Sequence, residues 1–270
     1  MVALESFQGS TSRFSRVKPG VILKYPVEVW RESSAYQRLT DEIANNFSVE
    51  RQILDMLGEH PRIVRCLGWE DTLGGLLLTE ASHGSLQRYL DENNDTIPLS
   101  VRKKWCRQVV ESIAYIHLRG VIHSDLRPEN FLVHATTPTS LDLWLCDFGG
   151  STCEELGLDG KHLPDPGFFD PNSEWVSTPT TDIFSVGSIL YIILTGHWPY
   201  RGPGLFKTAQ EMESYDQQID DLFRQGKFPD VEGLFGGRII LGCWTKKYTS
   251  ADDVLQALDL ETMKTSERGS

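Results

Sequence analysis

The sequence predicts an α+β fold in two lobes, a small β-rich one followed by a larger helical one. Three observations carry this expectation. Apolar, β-favouring runs cluster in the first 80 residues, helical periodicity takes over after residue 85, and a stretch near residue 190 is apolar almost all round, as a central buried helix must be. The expected boundaries are 1–82 for the small lobe, 83–262 for the large lobe and 263–270 for a disordered tail.

In chain order, Val21-Ile22-Leu23-Lys24-Tyr25, Ile63 to Trp69 and Leu76 to Thr79 read as strands, the last two joined across Gly74-Gly75 as a hairpin. One helix interrupts them from about Phe47 to Leu57, with Ile53, Leu54 and Leu57 at helical spacing and Glu59-His60-Pro61 ending it. Val101, Trp105, Val109, Ile113 and Ile116 place an apolar stripe on one face of a helix from about Leu99 to His117. Val121-Ile122, Phe131 to Val133 and Leu143 to Cys146 read as short strands, the last two around the polar insert HATTPTS. Gly149 to Pro179 reads as a long loop, and loops of that length in compact domains are usually functional or disordered. Asp182 to Leu194 is the buried helix, Gly202 to Pro229 holds amphipathic segments, and Ser250 is a plausible N-cap for a last helix through about Leu260. A crevice is expected between the lobes near residues 80–85, where ligands commonly bind.

The 270 residues carry 38 acidic and 26 basic side chains, a formal charge of -12, which argues against general affinity for nucleic acid or anionic membrane. The cysteines at 66, 106, 146, 153 and 243 form no C-x-x-C pair, so neither a disulfide framework nor a zinc site is indicated and a reducing compartment fits. The N-terminus lacks a basic region followed by an apolar run, and Ile183 to Thr195 is too short to span a bilayer. The expectation is an intracellular, cytoplasmic, soluble protein with no nucleic-acid or membrane partner; its oligomeric state is open.

Between apolar flanks, VIHSDLRPENFLV (121–133) crowds Asp125, Arg127, Glu129 and Asn130 into six positions. Asp147 follows at the end of the second short strand. Two carboxylates and an amide oxygen are hard ligands, few enough that a bound Mg²⁺ would keep waters or recruit phosphate oxygens. Taken singly, each Asp reads as a turn residue and Lys24 as an edge residue with its head in water. Taken together with Glu50 on the small-lobe helix, spaced so that Lys24 and Glu50 could meet, they read as a nucleotide site.

These motifs resemble those of the eukaryotic protein kinase domain, over about residues 5 to 260. HSDLRPEN resembles its catalytic loop, DFG at 147–149 its metal-binding motif, VILK its Lys-bearing strand, and TDIFSVGSILYIILTGHWPY its central helix. The resemblance implies a two-lobed kinase fold, ATP and Mg²⁺ as cofactors, and transfer of the γ-phosphate to Ser or Thr of a protein, with RPEN nearer the Ser/Thr pattern. It implies that Asp125 orients the substrate hydroxyl and accepts its proton, that Asn130 and Asp147 hold Mg²⁺, and that Lys24, positioned by Glu50, binds the α- and β-phosphates. Arg127 stands where Ser/Thr kinases usually have Lys, near the transferring phosphate. His123 is implied to pack beneath Phe148 and Leu54, Asp182 to fasten the catalytic loop, Thr79 to control the back of the pocket, and the backbones of Glu80 and Ser82 to meet adenine. Glu129 occupies a place that often faces basic substrate residues.

The pattern is broken at three places. SFQGSTSRF keeps only Gly9 of the phosphate-loop glycines, with Phe7 and Ser12 at the other two positions, which weakens close backbone approach to phosphate. Ser124 replaces the Arg that pairs with a phosphorylated activation loop in many kinases. Asn172 stands where the family has a Glu and cannot make that residue's ion pair. The alternatives are therefore a pseudokinase scaffold binding nucleotide or partners without transfer, which the degraded loop and Ser124 favour, and a small-molecule phosphotransferase of the aminoglycoside-kinase type, whose loop HSD also resembles.

Overall fold

A computed structural model describes residues 2–8, 11–202, 204 and 206–267. The first lobe is an antiparallel sheet of five strands: β1 (Val2–Gln8), β2 (Ser12–Lys18), β3 (Val21–Pro26), β4 (Cys66–Glu70) and β5 (Gly75–Thr79), in the order β1-β2-β3-β5-β4. One helix, α1 (Tyr36–Leu57), joins β3 to β4. Its apolar side, including Phe47, Ile53, Leu54 and Leu57, is buried, as are Leu76 and Leu78 of β5. Residues directly opposite in an antiparallel pair share a face. Lys24 opposes Leu76 and Ile22 opposes Leu78, so Lys24 lies on the same face as those two leucines. The helix begins eleven residues before the expected Phe47, because its first three turns are polar and mostly exposed and show no apolar stripe.

The second lobe is built around α4 (Pro179–Thr195), buried along nearly all its length as its composition requires. Its start is fixed by a capping box between Thr178 and Thr181 with Pro179 at the first position. Around it stand α2 (Leu86–Asn93), α3 (Leu99–His117), α5 (Ala209–Arg224), α6 (Gly237–Trp244) and α7 (Ala251–Glu267). The expected span of α3 is borne out at both ends, and Ser250 does cap α7, its Oγ accepting from Asp253 N at 3.1 Å. Helix α7 continues to Glu267, past the expected end at Leu260, so the expectation of a disordered tail is corrected for 263–267; residues 268–270 lie outside the described residues.

Three small strand pairings prepare the site. Strands β7 (Phe131–Thr137) and β8 (Ser140–Leu145) form a hairpin that takes in most of the HATTPTS insert, and β6 (Val121–Ile122) pairs with β9 (Thr152–Cys153), which pairs with β10 (Leu158–Asp159). Strand β8 is tied to the first lobe by reciprocal bonds, Val64 N to Leu145 O and Leu145 N to Arg62 O, both 2.8 Å. Beneath, Trp105 of α3 is fully buried and donates Nε1 to Leu141 O at 3.0 Å. Burial of a side chain that size contributes about 2–3 kcal/mol. The loop from Ile122 to Phe131 thus projects from a packed floor.

Candidate active site

Asp182, without exposed surface, holds the loop from below. Its Oδ2 accepts from His123 N (2.8 Å), its Oδ1 accepts from Ser124 N (3.0 Å), and His117 Nε2 lies 2.9 Å from Oδ2. Ser124 sits in the left-handed region at φ 65, a conformation that costs a non-glycine residue about 1–2 kcal/mol. The two bonds to Asp182 hold it there. His123 presents Nε2 to Cys146 O at 3.0 Å and its ring stands 5.1 Å from that of Phe148. It packs as a structural residue.

The loop places Asp125 and Asn130 together. Asn130 Nδ2 donates to Asp125 O (2.7 Å) and to Asp125 Oδ2 (3.1 Å). With that nitrogen used twice, the Asn130 oxygen is the atom left for a cation. Asn130 O accepts from Cys146 N at 2.9 Å, which brings the end of the loop beside Asp147. Asp125 Oδ1 is buried and has no hydrogen-bond partner among the described residues. Burial holds the Asp125 carboxyl above the ordinary carboxylate range, against the pull of His162 and with the push of Asp147.

Lys24 crosses from the first lobe to meet this group. Its Nζ lies 2.6 Å from Glu50 Oε2 and 2.7 Å from Asp147 Oδ1. Lys24 and Glu50 are buried. Burial works against the Lys24 charge, but the Asp147 and Glu50 carboxylates outweigh it and raise the ammonium above its usual range. Asp147 is left-handed at φ 63. The two following residues, Phe148 and Gly149, are buried, and a Cβ at Gly149 would stand 3.3 Å from Asn46 of α1. Lys24, Glu50, Asp147, Asn130 and Asp125 therefore converge from both lobes.

Other expected site residues are placed differently. Glu80 donates its N–H to Gly20 O (2.9 Å) and pairs its carboxylate with Arg16 Nε at 2.9 and 3.0 Å. Ser82 N–H is spent on His134 Nδ1 (3.3 Å), and Ser82 Oγ accepts from Ala135 N (2.8 Å). The segment after β5 hugs β7, so the expectation that the Ser82 N–H meets adenine is corrected. Ala81, between them, makes no hydrogen bond among the described residues. Thr79 is likewise corrected as the residue behind the pocket: it faces away from Lys24, whereas Leu78 shares the Lys24 face and is buried against the α1 core. The period-2 alternation of β5 carried that signal. Gly9 lies outside the described residues, between strands that pair as far as Gln8 opposite Arg13.

Arg127 is held by two carboxylates, Nε to Glu129 Oε2 at 3.2 Å and Nη1 to Asp165 Oδ2 at 2.5 Å. Asp165 was not foreseen. Nor was the solution to Asn172: the ion pair is made by Asp170, whose Oδ2 lies 2.6 Å from Lys246 Nζ, and Lys246 also reaches Ser173 Oγ at 2.9 Å. Just upstream, Ser185 and Ser188 of α4 donate to Phe168 O (2.6 Å) and Gly167 O (2.5 Å), pinning the end of the long loop.

The residues fit ATP and Mg²⁺: the Asn130 oxygen and the Asp147 carboxylate supply hard donors, and a buried cation stands ready for phosphate. Among the described residues all five cysteines are free, and no helix is long and apolar enough to cross a membrane.

Comparison with known proteins points to one family. The family "Protein kinase domain" matches residues 31–232, a span that holds Glu50, Asp125, Asn130 and Asp147 and begins after Lys24. Smooth-muscle myosin light chain kinase of Gallus gallus is 31% identical over 185 residues, 65% of this chain and 9% of that protein. Calcium/calmodulin-dependent protein kinase type 1 of Macrobrachium nipponense is 28% identical over 224 residues, 80% of this chain and 59% of that protein. Serine/threonine-protein kinase RAD53 of Saccharomyces cerevisiae is 30% identical over 173 residues, 57% of this chain and 20% of that protein. The chain thus spans less than two thirds of the length of each of these relatives. With the two-lobed fold, the convergent residues and the family match together, the chain belongs to the protein kinase domain family.

Proposed function

We propose that the protein is an active kinase that transfers the γ-phosphate of Mg-ATP to Ser or Thr of a protein substrate. The observation that carries this reading is the meeting of Lys24, Glu50 and Asp147 across the two lobes, beside an Asp125 whose buried Oδ1 is left without a partner. Such a buried acceptor is costly unless something completes it. Lys24 grips the α- and β-phosphate oxygens, and Glu50 keeps its head aimed into the crevice. The backbone of Ala81, rather than Ser82, meets the adenine edge. Asn130 and Asp147 would hold Mg²⁺, which when bound neutralises charge on the phosphate oxygens. Asp125 accepts the proton of the acceptor hydroxyl as its oxygen bonds to phosphorus and the bond to the ADP oxygen breaks. The acidic neighbourhood of Glu129 and Asp165 suits basic residues beside the target.

The test is phosphate transfer from Mg-ATP to a mixture of basic Ser/Thr peptides by wild type and Asp125→Asn. Loss of the base should lower turnover by roughly 10²–10⁴-fold. A second reading, a scaffold that binds nucleotide or partners without transfer, is favoured by Arg127: both neighbouring carboxylates already claim its guanidinium. Nucleotide binding with no transfer by wild type would select it.

A further inference from the structure

In front of the unpartnered Asp125 Oδ1 stands His162, its Nδ1 3.9 Å away. That gap is too long for a direct hydrogen bond; with Oδ1 buried, an oxygen atom takes a place about 2.8 Å from both once the half-exposed His162 ring turns slightly aside.

The placement is built into the fold. The chain leaves the Asp147 turn, runs out through β9, returns through β10 and closes where Gly160 N donates to Ser151 O at 2.8 Å. A Cβ at Gly160 would lie 2.4 Å from Gly149 O, and one at Gly150 would lie 2.8 Å from the Cβ of His162, so only glycines let His162 come this close. Asp159 is tied twice, its O accepting from Asn45 Nδ2 of α1 (2.9 Å) and its Oδ1 from Lys161 N (2.7 Å). Ser177 Oγ donates to His162 O at 3.2 Å. The segment is thus fixed from α1, from its own start and from the approach to α4.

We infer that His162 is the second anchor of the acceptor hydroxyl, an inference that rests on the reading of Asp125 as the base. The hydroxyl donates to Asp125 Oδ1 and accepts a hydrogen bond from His162 Nδ1–H. One lone pair of the oxygen is thereby fixed by His162 and the other is aimed at phosphorus. Asp125 takes the hydroxyl proton, the oxygen bonds to phosphorus, the bond to the leaving diphosphate breaks, and His162 keeps its own proton throughout. His162 is a positioning residue for the protein acceptor and takes no part in holding nucleotide.

The experiment is steady-state transfer to one basic Ser peptide by wild type, Asp125→Asn, His162→Ala, His162→Phe and His162→Asn, with the Mg-ATP thermal shift of each. The Phe variant keeps the ring bulk without a donor; the Asn variant puts an amide N–H near the Nδ1 position. Expected are a fall in kcat on the order of tenfold to a hundredfold for Ala and Phe, an unchanged KM for ATP and unchanged thermal shift, and recovery in Asn to within about threefold of wild type. Unchanged or raised kcat in both Ala and Phe overturns the inference, as does an Asn variant as slow as Phe. If Asp125→Asn abolishes transfer while His162→Ala and His162→Phe keep the wild-type kcat, this inference alone falls. If wild type transfers nothing, the kinase reading falls and takes it along.

Discussion

Replacing Asp182 with Ala removes the acceptor for two buried N–H groups, those of His123 and Ser124, and the partner of His117 Nε2. None of Asp182, His123 and Ser124 has exposed surface. Each stranded N–H costs about 1–3 kcal/mol, nearer the upper value because the lost acceptor is charged, which gives about 2–6 kcal/mol for the pair. Removing a buried carboxylate also relieves its own desolvation, so the net loss is about 3 kcal/mol. In a chain this size that corresponds to a fall in Tm of roughly 6–12 °C. Asp182→Asn keeps one carboxamide oxygen and should lose about half as much. Urea and thermal unfolding of the three proteins measure this directly. Transfer should vanish in Asp182→Ala even where it is folded, because Ser124 is no longer held at φ 65 and Asp125 next to it loses its aim. An Ala variant unfolding within about 0.5 kcal/mol of wild type would refute the claim that Asp182 holds the loop.

Other expectations follow from the remaining charge pairs. Lys24→Met leaves Glu50 buried and unpaired, so stability should fall by about 3 kcal/mol at neutral pH, with recovery in Lys24→Met/Glu50→Leu, read by urea unfolding. Burial raises the Asp142 carboxyl, but hydrogen bonds from Thr136, Gln108 and Lys104 outweigh it and hold it down to about 2. Because its folded value lies below the unfolded one near 3.9, Asp142 stabilises above that pH, and about 2 kcal/mol is lost as pH falls from about 4 to 2. Asp142→Asn should flatten that acid limb of the unfolding curve. Lys246→Ala breaks the pair with Asp170; with Lys246 half exposed, stability should drop by only about 1 kcal/mol, while peptide KM rises and Mg-ATP binding holds, which kinetics and thermal shift together resolve.

Local chemistry made much of this legible. The apolar stripe of α3 and the all-round burial of α4 are periodic signals, and both helices lie where periodicity puts them. The set Lys24, Glu50, Asp125, Asn130 and Asp147 was readable because each residue sits in a patterned stretch, and the fold brings them together from both lobes. Partners chosen by tertiary packing were not readable. Asp165 reaches Arg127 across 38 positions and Lys246 reaches Asp170 from beyond α6; nothing near either residue in sequence marks the pairing. The polar start of α1 and the Thr-rich β7–β8 hairpin hid for a related reason, since their stability comes from packing and ladder bonds rather than apolar pattern. Leu78 could have been separated from Thr79 by strand alternation. The diversion of Ser82 to His134 could not, because it depends on how closely the connecting segment lies on β7.

The most direct test of the central claim, that Lys24, Asp147 and Asn130 form a working Mg-ATP site beside Asp125, is a thermal shift with ATP in the presence and absence of Mg²⁺, followed by a transfer assay on the same sample, for wild type and Asp147→Asn. At ATP one hundredfold above its Kd, binding stabilises by about 2.7 kcal/mol. Wild type should show a Mg²⁺-dependent rise in Tm and phosphorylated peptide, and Asp147→Asn neither. A wild type whose Tm ignores Mg-ATP, or an Asn variant that still phosphorylates peptide at the wild-type rate, would contradict it.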